Sequence, residues 1–214
     1  MTCLMDSIGP ELKKRASQQY RHNLTGLLEG ALRSSNAQYE PSWVLDRVGI
    51  RLLEAVPGDT GWEVFSLDYI VDLPINAVVT TEAMCRYRIA FHMLWRLKRV
   101  EWSLSNAWKR LNSFVHTGGG DIVHSLKNIF HRCTLTRGHM VHLVNNLCAF
   151  LMFEVLETAW ITLQTRIQKA ISLDDVIEAH TSYLSDILER ALLKVEHEGL
   201  NMHIQQVRLY PLQP

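Results

Sequence analysis

The stretch TTEAMCRYRIAFHMLWRLKRVEWSLSNAWKRLN, residues 80–112, decides the fold. At about 100° per residue, Tyr87, Phe91, Leu94, Leu97, Trp102, Leu104 and Trp108 fall on one broad side of a helix. Arg88, His92, Arg96, Arg99 and Arg110 cluster on the opposite side. Thr80 or Thr81 is placed to cap the first turn, and Glu82 suits the positive end of the helix dipole. The spacing predicts one long amphipathic helix that runs to about Asn112.

The same texture continues downstream. Thr117-Gly118-Gly119-Gly120 is a break, and Asp121 is a suitable N-cap for a helix over about 122–169. Ile122, Leu126, Ile129, Cys133, Met140, Val144, Leu147, Leu151 and Val155 keep helical spacing along it. At 1.5 Å per residue that helix spans roughly 70 Å, with Gly138 marking a place for a bend or break. Ser172 with Asp175 reads as a capping box. Leu173, Val176, Ile177, His180, Leu184, Ile187, Leu188, Ala191 and Leu192 then define a last helix that ends near Glu198-Gly199.

Upstream, Gly9-Pro10 opens a helical stripe through Leu12, Ala16, Tyr20, Leu24, Leu28 and Leu32, so residues 10–35 read as one helix. Ser42 reads as the cap of a short helix to about Arg47. Between 49 and 75 the texture changes. Gly49–Val56 is rich in branched residues, Pro57-Gly58-Asp59-Thr60-Gly61 is a turn signal, and Phe65, Leu67, Tyr69 and Val71 alternate. Two short strands around a five-residue turn fit this pattern, and so does an irregular two-legged loop. Asp72-Leu73-Pro74 ends either one, because proline cannot donate to a ladder. The fold class is all-α: a bundle of long antiparallel helices with a small extended or β-hairpin insertion around residues 49–75.

Composition narrows the function. The chain has 214 residues, 22 basic and 22 acidic, for a net charge of zero. Nucleic-acid binding modules carry a basic excess, so nucleic acid is disfavoured as a partner. No apolar run reaches the roughly 18 residues of a membrane span, which argues against a membrane partner, and no signal-peptide pattern opens the chain. Cys3, Cys85, Cys133 and Cys148 form no CxxC pair and read as reduced, mostly buried thiols. The expected compartment is the cytosol.

Chemistry-bearing patterns are weak. His124, His131, His139 and His142 fall in one predicted helix, but neither HExxH nor a finger spacing is present, so no metal is expected. The glycines at 118–120 precede a helix without a GxxxxGK[ST] pattern, and Asp121 would repel an anion there. There is no GxSxG. We expect no catalytic residues, no cofactor and no enzyme activity. The arginine face of the 80–112 helix could meet an acidic partner, but a solvated face paired with local acids fits it better. Trp43, Trp62, Trp95, Trp102 and Trp108 suit either an interface or a core.

Three ordered blocks resemble a known family. LLEAVPGDTGWEVFSLDY at 52–69, within a similar stretch over 22–80, MCRYRIAFHMLWRLKRVEWSLSNAWK at 84–109, and FEVLETAWITLQTRIQKAISLDDVIEAHTSYLSDILERALL at 153–193 resemble the C-terminal domain of gamma-tubulin complex components. The resemblance implies a helical protein without catalytic activity, with gamma-tubulin and other complex components as partners. It implies a role in microtubule nucleation and a location in the cytoplasm and cytoskeleton, at a microtubule organising centre such as a centrosome or spindle pole. Family members are several times longer, so the resemblance implies part of the gamma-tubulin-binding half over 1–198, with 199–214 as a flexible tail. Residues 110–121 and the end from Val195 depart from the family pattern. For contacts with gamma-tubulin, the expectation falls on Asp68–Thr80, with Asp68, Tyr69, Asp72, Pro74 and Asn76, then on Arg88 and Arg96.

Overall fold

A computed structural model describes residues 2–117 and 127–191. The described residues are mostly helical, in the order α1 Thr2–Leu12, α2 Arg21–Arg33, α3 Ser42–Leu45, β1 Val48–Leu52, α4 Gly61–Val64, β2 Phe65–Tyr69, α5 Thr81–Thr117, α6 Lys127–Ala149, a π-helical segment Phe150–Glu157, α7 Thr158–Lys169 and α8 Leu173–Arg190. The described residues pack as two compact units, one within Met1–Asp72 and Leu94–Asn146 and the other within Leu73–Met93 and Leu147–Pro214. Helices α5 and α6 with its continuation each contribute to both.

In the first unit, α1 and α2 pack on each other and α2 packs on β1. The sequence predicts a single helix over 10–35, and the structure replaces it with two. Pro10 therefore lies in the last turn of α1 rather than the first turn of a helix. The reason is a long-range backbone pairing. The Ala16 amide donates to the Asp59 carbonyl at 2.9 Å and the Gly61 amide to the Lys14 carbonyl at 3.0 Å. Gln19 Nε2 donates to the Glu11 carbonyl at 2.9 Å and so covers the frayed end of α1. These bonds use groups that a continuous helix would need for itself.

The extended insertion is a two-stranded antiparallel ladder, with Val48 opposite Tyr69 and Leu52 opposite Phe65. The second strand begins where alternation places it, at Phe65. The first is shorter than its branched residues suggest, and a longer connection replaces the five-residue turn. Val56 and Asp59 close the turn, with Gly58 at φ 104°, in the left-handed region that glycine favours. Gly61–Val64 then coils before β2. Ser42 is the first helical residue of α3, whose cap position is Pro41, so Ser42 does not cap it.

Aromatic side chains fill the space under the hairpin. Phe65 is completely buried with its ring centroid 4.8 Å from that of Trp95, and Trp62 lies 5.4 Å from Trp95 and 5.5 Å from Trp102. Trp102 Nε1 donates to Asp6 Oδ1 at 3.0 Å, so its polar edge is satisfied where its body is packed. Glu63 accepts from Arg99 Nη1 at 2.6 Å and from both the amide and the hydroxyl of Thr60. Burial raises the Glu63 pKa, but these hydrogen bonds and the Arg99 charge outweigh it and hold the carboxyl below its ordinary value.

In the second unit, α7 and α8 pack as an antiparallel pair: Trp160 lies against Tyr183, and Arg190 Nη1 reaches the Glu154 carbonyl. Asp175 and Ser172 form the expected capping box, with the Asp175 amide donating to Ser172 Oγ at 3.2 Å. Thr80 caps α5 as expected, its Oγ1 accepting from the Ala83 amide at 3.3 Å. Helix α5 runs five residues past the predicted end, to Thr117.

The helix does not break at Gly138. Gly138 is helical in α6 and exposed, and a Cβ added there meets nothing within 4 Å. Gly138→Ala is expected to raise stability by about 0.5–1 kcal/mol, measured by urea unfolding. The Asp121 cap, the glycine break and the last helix beyond Ala191 lie outside the described residues, as does the 199–214 tail.

Candidate interaction surfaces

The segment expected to make contacts begins at the end of β2. Asp68 is held by Arg51, whose Nε donates to Asp68 Oδ2 at 2.9 Å. Tyr69 is half-buried opposite Val48. Asp72 pairs with Arg47 Nη2 at 3.0 Å yet remains 61 % exposed. Asp68, Tyr69, Asp72 and Arg96 belong to the first unit, and Pro74, Asn76 and Arg88 to the second. Pro74 and Asn76 are exposed, in a single turn where the Ala77 amide donates to the Pro74 carbonyl at 3.2 Å. Such a turn, fixed by its own backbone, displays side chains rather than burying them.

The arginine face of α5 is not one solvated stripe. Arg99 is committed to Glu63 and lies 5.3 Å from the Trp62 ring centroid, which places it over the aromatic core. Arg88 donates to Cys85 Sγ at 2.8 Å, and Arg96 is exposed. The tryptophans divide in the same way: Trp62 and Trp95 are buried, whereas Trp43 is 60 % exposed and Trp160 49 %.

The cysteines correct another expectation. Cys85 and Cys133 are exposed and Cys148 is half-buried, because these helices have only one packed side and each thiol falls off it. Among the described residues no three His, Cys, Asp or Glu side chains converge as a metal site. His131, His139 and His142 are exposed, with His142 Nε2 3.3 Å from Asn146 Nδ2, and His124 lies outside the described residues.

One histidine is different. His180 is buried on α8, and its Nε2 is 3.0 Å from the Tyr87 hydroxyl on α5, within the second unit. Burial lowers its pKa below the ordinary 6.5, because the charged imidazolium loses solvation. Burial, and secondarily Tyr183, pushes the Tyr87 phenol up to about 12, so it stays protonated as a hydrogen-bond partner. A folded state that resists protonation is stable above pH 6.5 and loses stability as the pH falls below that value. Urea unfolding at pH 7.5 and 5.5 is expected to show this loss, and His180→Gln is expected to shrink it.

The sequence reading missed an exposed apolar feature. Along the π-helical segment and α7, Phe153 is 64 % exposed, Met152 50 % and Ile161 57 %. With Cys148, Ala149, Leu156, Glu157, Trp160 and Tyr183, Met152 and Phe153 line an open apolar groove of about 600 Å³. The available signal was Phe150-Leu151-Met152-Phe153: four consecutive apolar residues cannot all face one core from a helix. The helix Lys127–Lys169 also contains an 18-residue window of mean hydropathy 1.4, long and apolar enough to cross a membrane by length and composition, and 22 % buried. Counting uninterrupted apolar residues hid this window, because His142, Asn145, Asn146 and Glu154 interrupt the apolar run.

Comparison with known proteins gives these surfaces a context. A family model described as the C-terminal part of gamma tubulin complex components matches residues 1–209. The match thus runs through 110–121 and well past Val195, where the sequence reading saw departures. The chain is 42% identical over 206 residues to the gamma-tubulin complex component 3 homolog of Xenopus laevis, covering 95% of this chain and 22% of that protein. It is 40% identical over 207 residues to gamma-tubulin complex component 3 of Homo sapiens, again covering 95% of this chain and 22% of that protein. It is 42% identical over 194 residues to the spindle pole body component alp6 of Schizosaccharomyces pombe, covering 89% of this chain and 23% of that protein. A relative named component 2, from Mus musculus, is 30% identical. The chain spans about a fifth of the length of the relatives named component 3. With the family match covering nearly all of its residues, the chain belongs to the gamma-tubulin complex component family.

Proposed function

We propose that this chain is a gamma-tubulin-binding structural part of a gamma-tubulin complex, supporting microtubule nucleation at organising centres and spindle poles. The observation that carries this reading is the exposed run from Asp72 through Asn76, displayed between a paired strand and a capped helix in a family of complex components. Asp68, Tyr69, Asp72, Pro74, Asn76, Arg88 and Arg96 are the proposed contacts with gamma-tubulin, and the role is structural, with no catalytic step. Other complex components are further partners, and the location is the cytoplasm, at the microtubule organising centre. A pull-down of purified gamma-tubulin by the full chain tests the reading. Capture that is lost on Asp72→Arg with Asn76→Arg supports it, and no capture by the folded wild-type chain sinks it.

A second reading draws on the apolar groove around Phe153 and Trp160. In it the chain is a helical interaction module that packs on other complex components without itself holding gamma-tubulin. Exposed aromatic surface of this kind marks an interface more often than a solvated face. It predicts that Phe153→Asp raises the solubility of the isolated chain while abolishing its co-purification with complex components.

A further inference from the structure

Asp68 and Asp72 of the proposed binding segment are held by arginines in β1 and just before it, but the two are held differently. Asp68 has a single contact with Arg51, whose side chain is 51% exposed. Asp72 belongs to a larger arrangement centred on Arg47. The Arg47 carbonyl accepts from the Ile70 amide at 2.9 Å, one residue past β2. The Arg47 guanidinium pairs with Asp72 Oδ2 at 3.0 Å, and its Cζ lies 5.7 Å from the Trp43 ring centroid. All four residues belong to the first unit.

We propose that Arg47 is the positioning residue of the gamma-tubulin-binding segment, fixing Ile70–Asp72 before any partner arrives, with the Trp43 ring as its backing. The assignment rests on the binding reading above. An exposed ion pair alone does little, because both side chains lose freedom to form it and water screens the charges. Here the guanidinium is restrained from a second direction by an aromatic face, an arrangement that a planar, delocalised cation favours over an ammonium. The same residue also anchors the backbone two positions before Asp72. Charge and ring thus converge on one side chain that is 30% exposed, beside a backbone bond from the same residue, while the acid it holds stays 61% exposed and accessible to a partner. A segment ordered in advance loses less freedom on binding, so removing the clamp weakens association without removing a contact.

The test uses the full chain, amide hydrogen exchange and binding to purified gamma-tubulin. In the free chain, Arg47→Ala and Asp72→Asn are each expected to speed exchange at the Val71 and Asp72 amides. Arg51→Ala, which frees Asp68 instead, is expected to leave those two amides unchanged. Arg47→Ala, which removes no proposed contact, is expected to weaken gamma-tubulin binding about three- to tenfold, and the Arg47→Ala/Asp72→Asn double variant is expected to speed exchange no further than Arg47→Ala alone. Arg47→Lys keeps the charge and loses the planar stack, so it falls between wild type and Arg47→Ala. Unchanged exchange in Arg47→Ala overturns the proposal, as do exchange effects of the single variants that multiply in the double variant. If the wild-type chain captures no gamma-tubulin, the binding reading fails by itself, and the exchange comparison still decides whether Arg47 orders the segment.

Discussion

Replacing Phe65 with alanine is expected to lower the unfolding free energy of the first unit by about 3–5 kcal/mol, the usual range for a fully buried phenylalanine. Phe65 has no exposed surface, and its ring rests against Trp95, which is 2% exposed. Deleting it removes the transfer energy of the ring and leaves a hole that its neighbours are poorly placed to fill. Trp95 already contacts Trp62, and Trp62 lies against Trp102. Because the β1–β2 ladder rests on this residue at the Leu52–Phe65 pair, the hairpin is expected to loosen with the core. Urea unfolding followed by tryptophan fluorescence reads both, and a loss below about 1 kcal/mol would show that the aromatic cluster repacks.

Gly61→Ala is expected to be the next most damaging change, at about 1–3 kcal/mol, the range of an overpacked core. A Cβ at position 61 would lie 2.8 Å from Gln19 Nε2 and 2.9 Å from Leu12 Cα. The glutamine amide can swing aside only by giving up its bond to the Glu11 carbonyl, and the Leu12 backbone cannot move without shifting the end of α1. The Gly61 amide also donates to Lys14, so any retreat of the loop breaks the pairing that splits the first helical stripe in two. Gly26→Ala is the matched control, since a Cβ there meets nothing within 4 Å. Thermal unfolding of the two variants is expected to move in opposite directions, because alanine restricts the unfolded chain at both sites and clashes at only one.

The contrast between these glycines shows which parts of the fold were legible in the sequence. Features set within one helical turn were readable: the Thr80 cap and the Ser172–Asp175 box each need only their neighbours. The stripe over 10–35 was a genuine helical pattern, and it failed because residues 14–16 pair with residues 59–61, about 45 positions away. No periodicity carries that information. The arginine face of α5 was visible as a face, but Arg99 had already been claimed by Glu63 on another element. In the candidate segment, exposure at Pro74 and Asn76 followed from turn chemistry, whereas the Arg47 partner of Asp72 did not, since 25 residues separate them. Trp43 and Trp160 look like Trp62 and Trp95 as letters, and only packing separates the exposed from the buried.

The widened coil at Phe150–Glu157 has a geometric consequence for the last two helices. Buried positions there follow steps of four, Leu151, Val155, Ala159 and Leu163. In a coil of 3.6 residues per turn each step of four overshoots by about 40°, so an ideal helix would carry the last of these roughly 120° around from the first. A segment bonded one residue further along turns more slowly and absorbs part of that drift. The apolar repeat can then stay in line along one flank, which suits α8 packing against both the π-helical segment and α7. A residue deleted from this segment would therefore act as a phase error, rotating everything beyond it about the helix axis while leaving the composition almost unchanged.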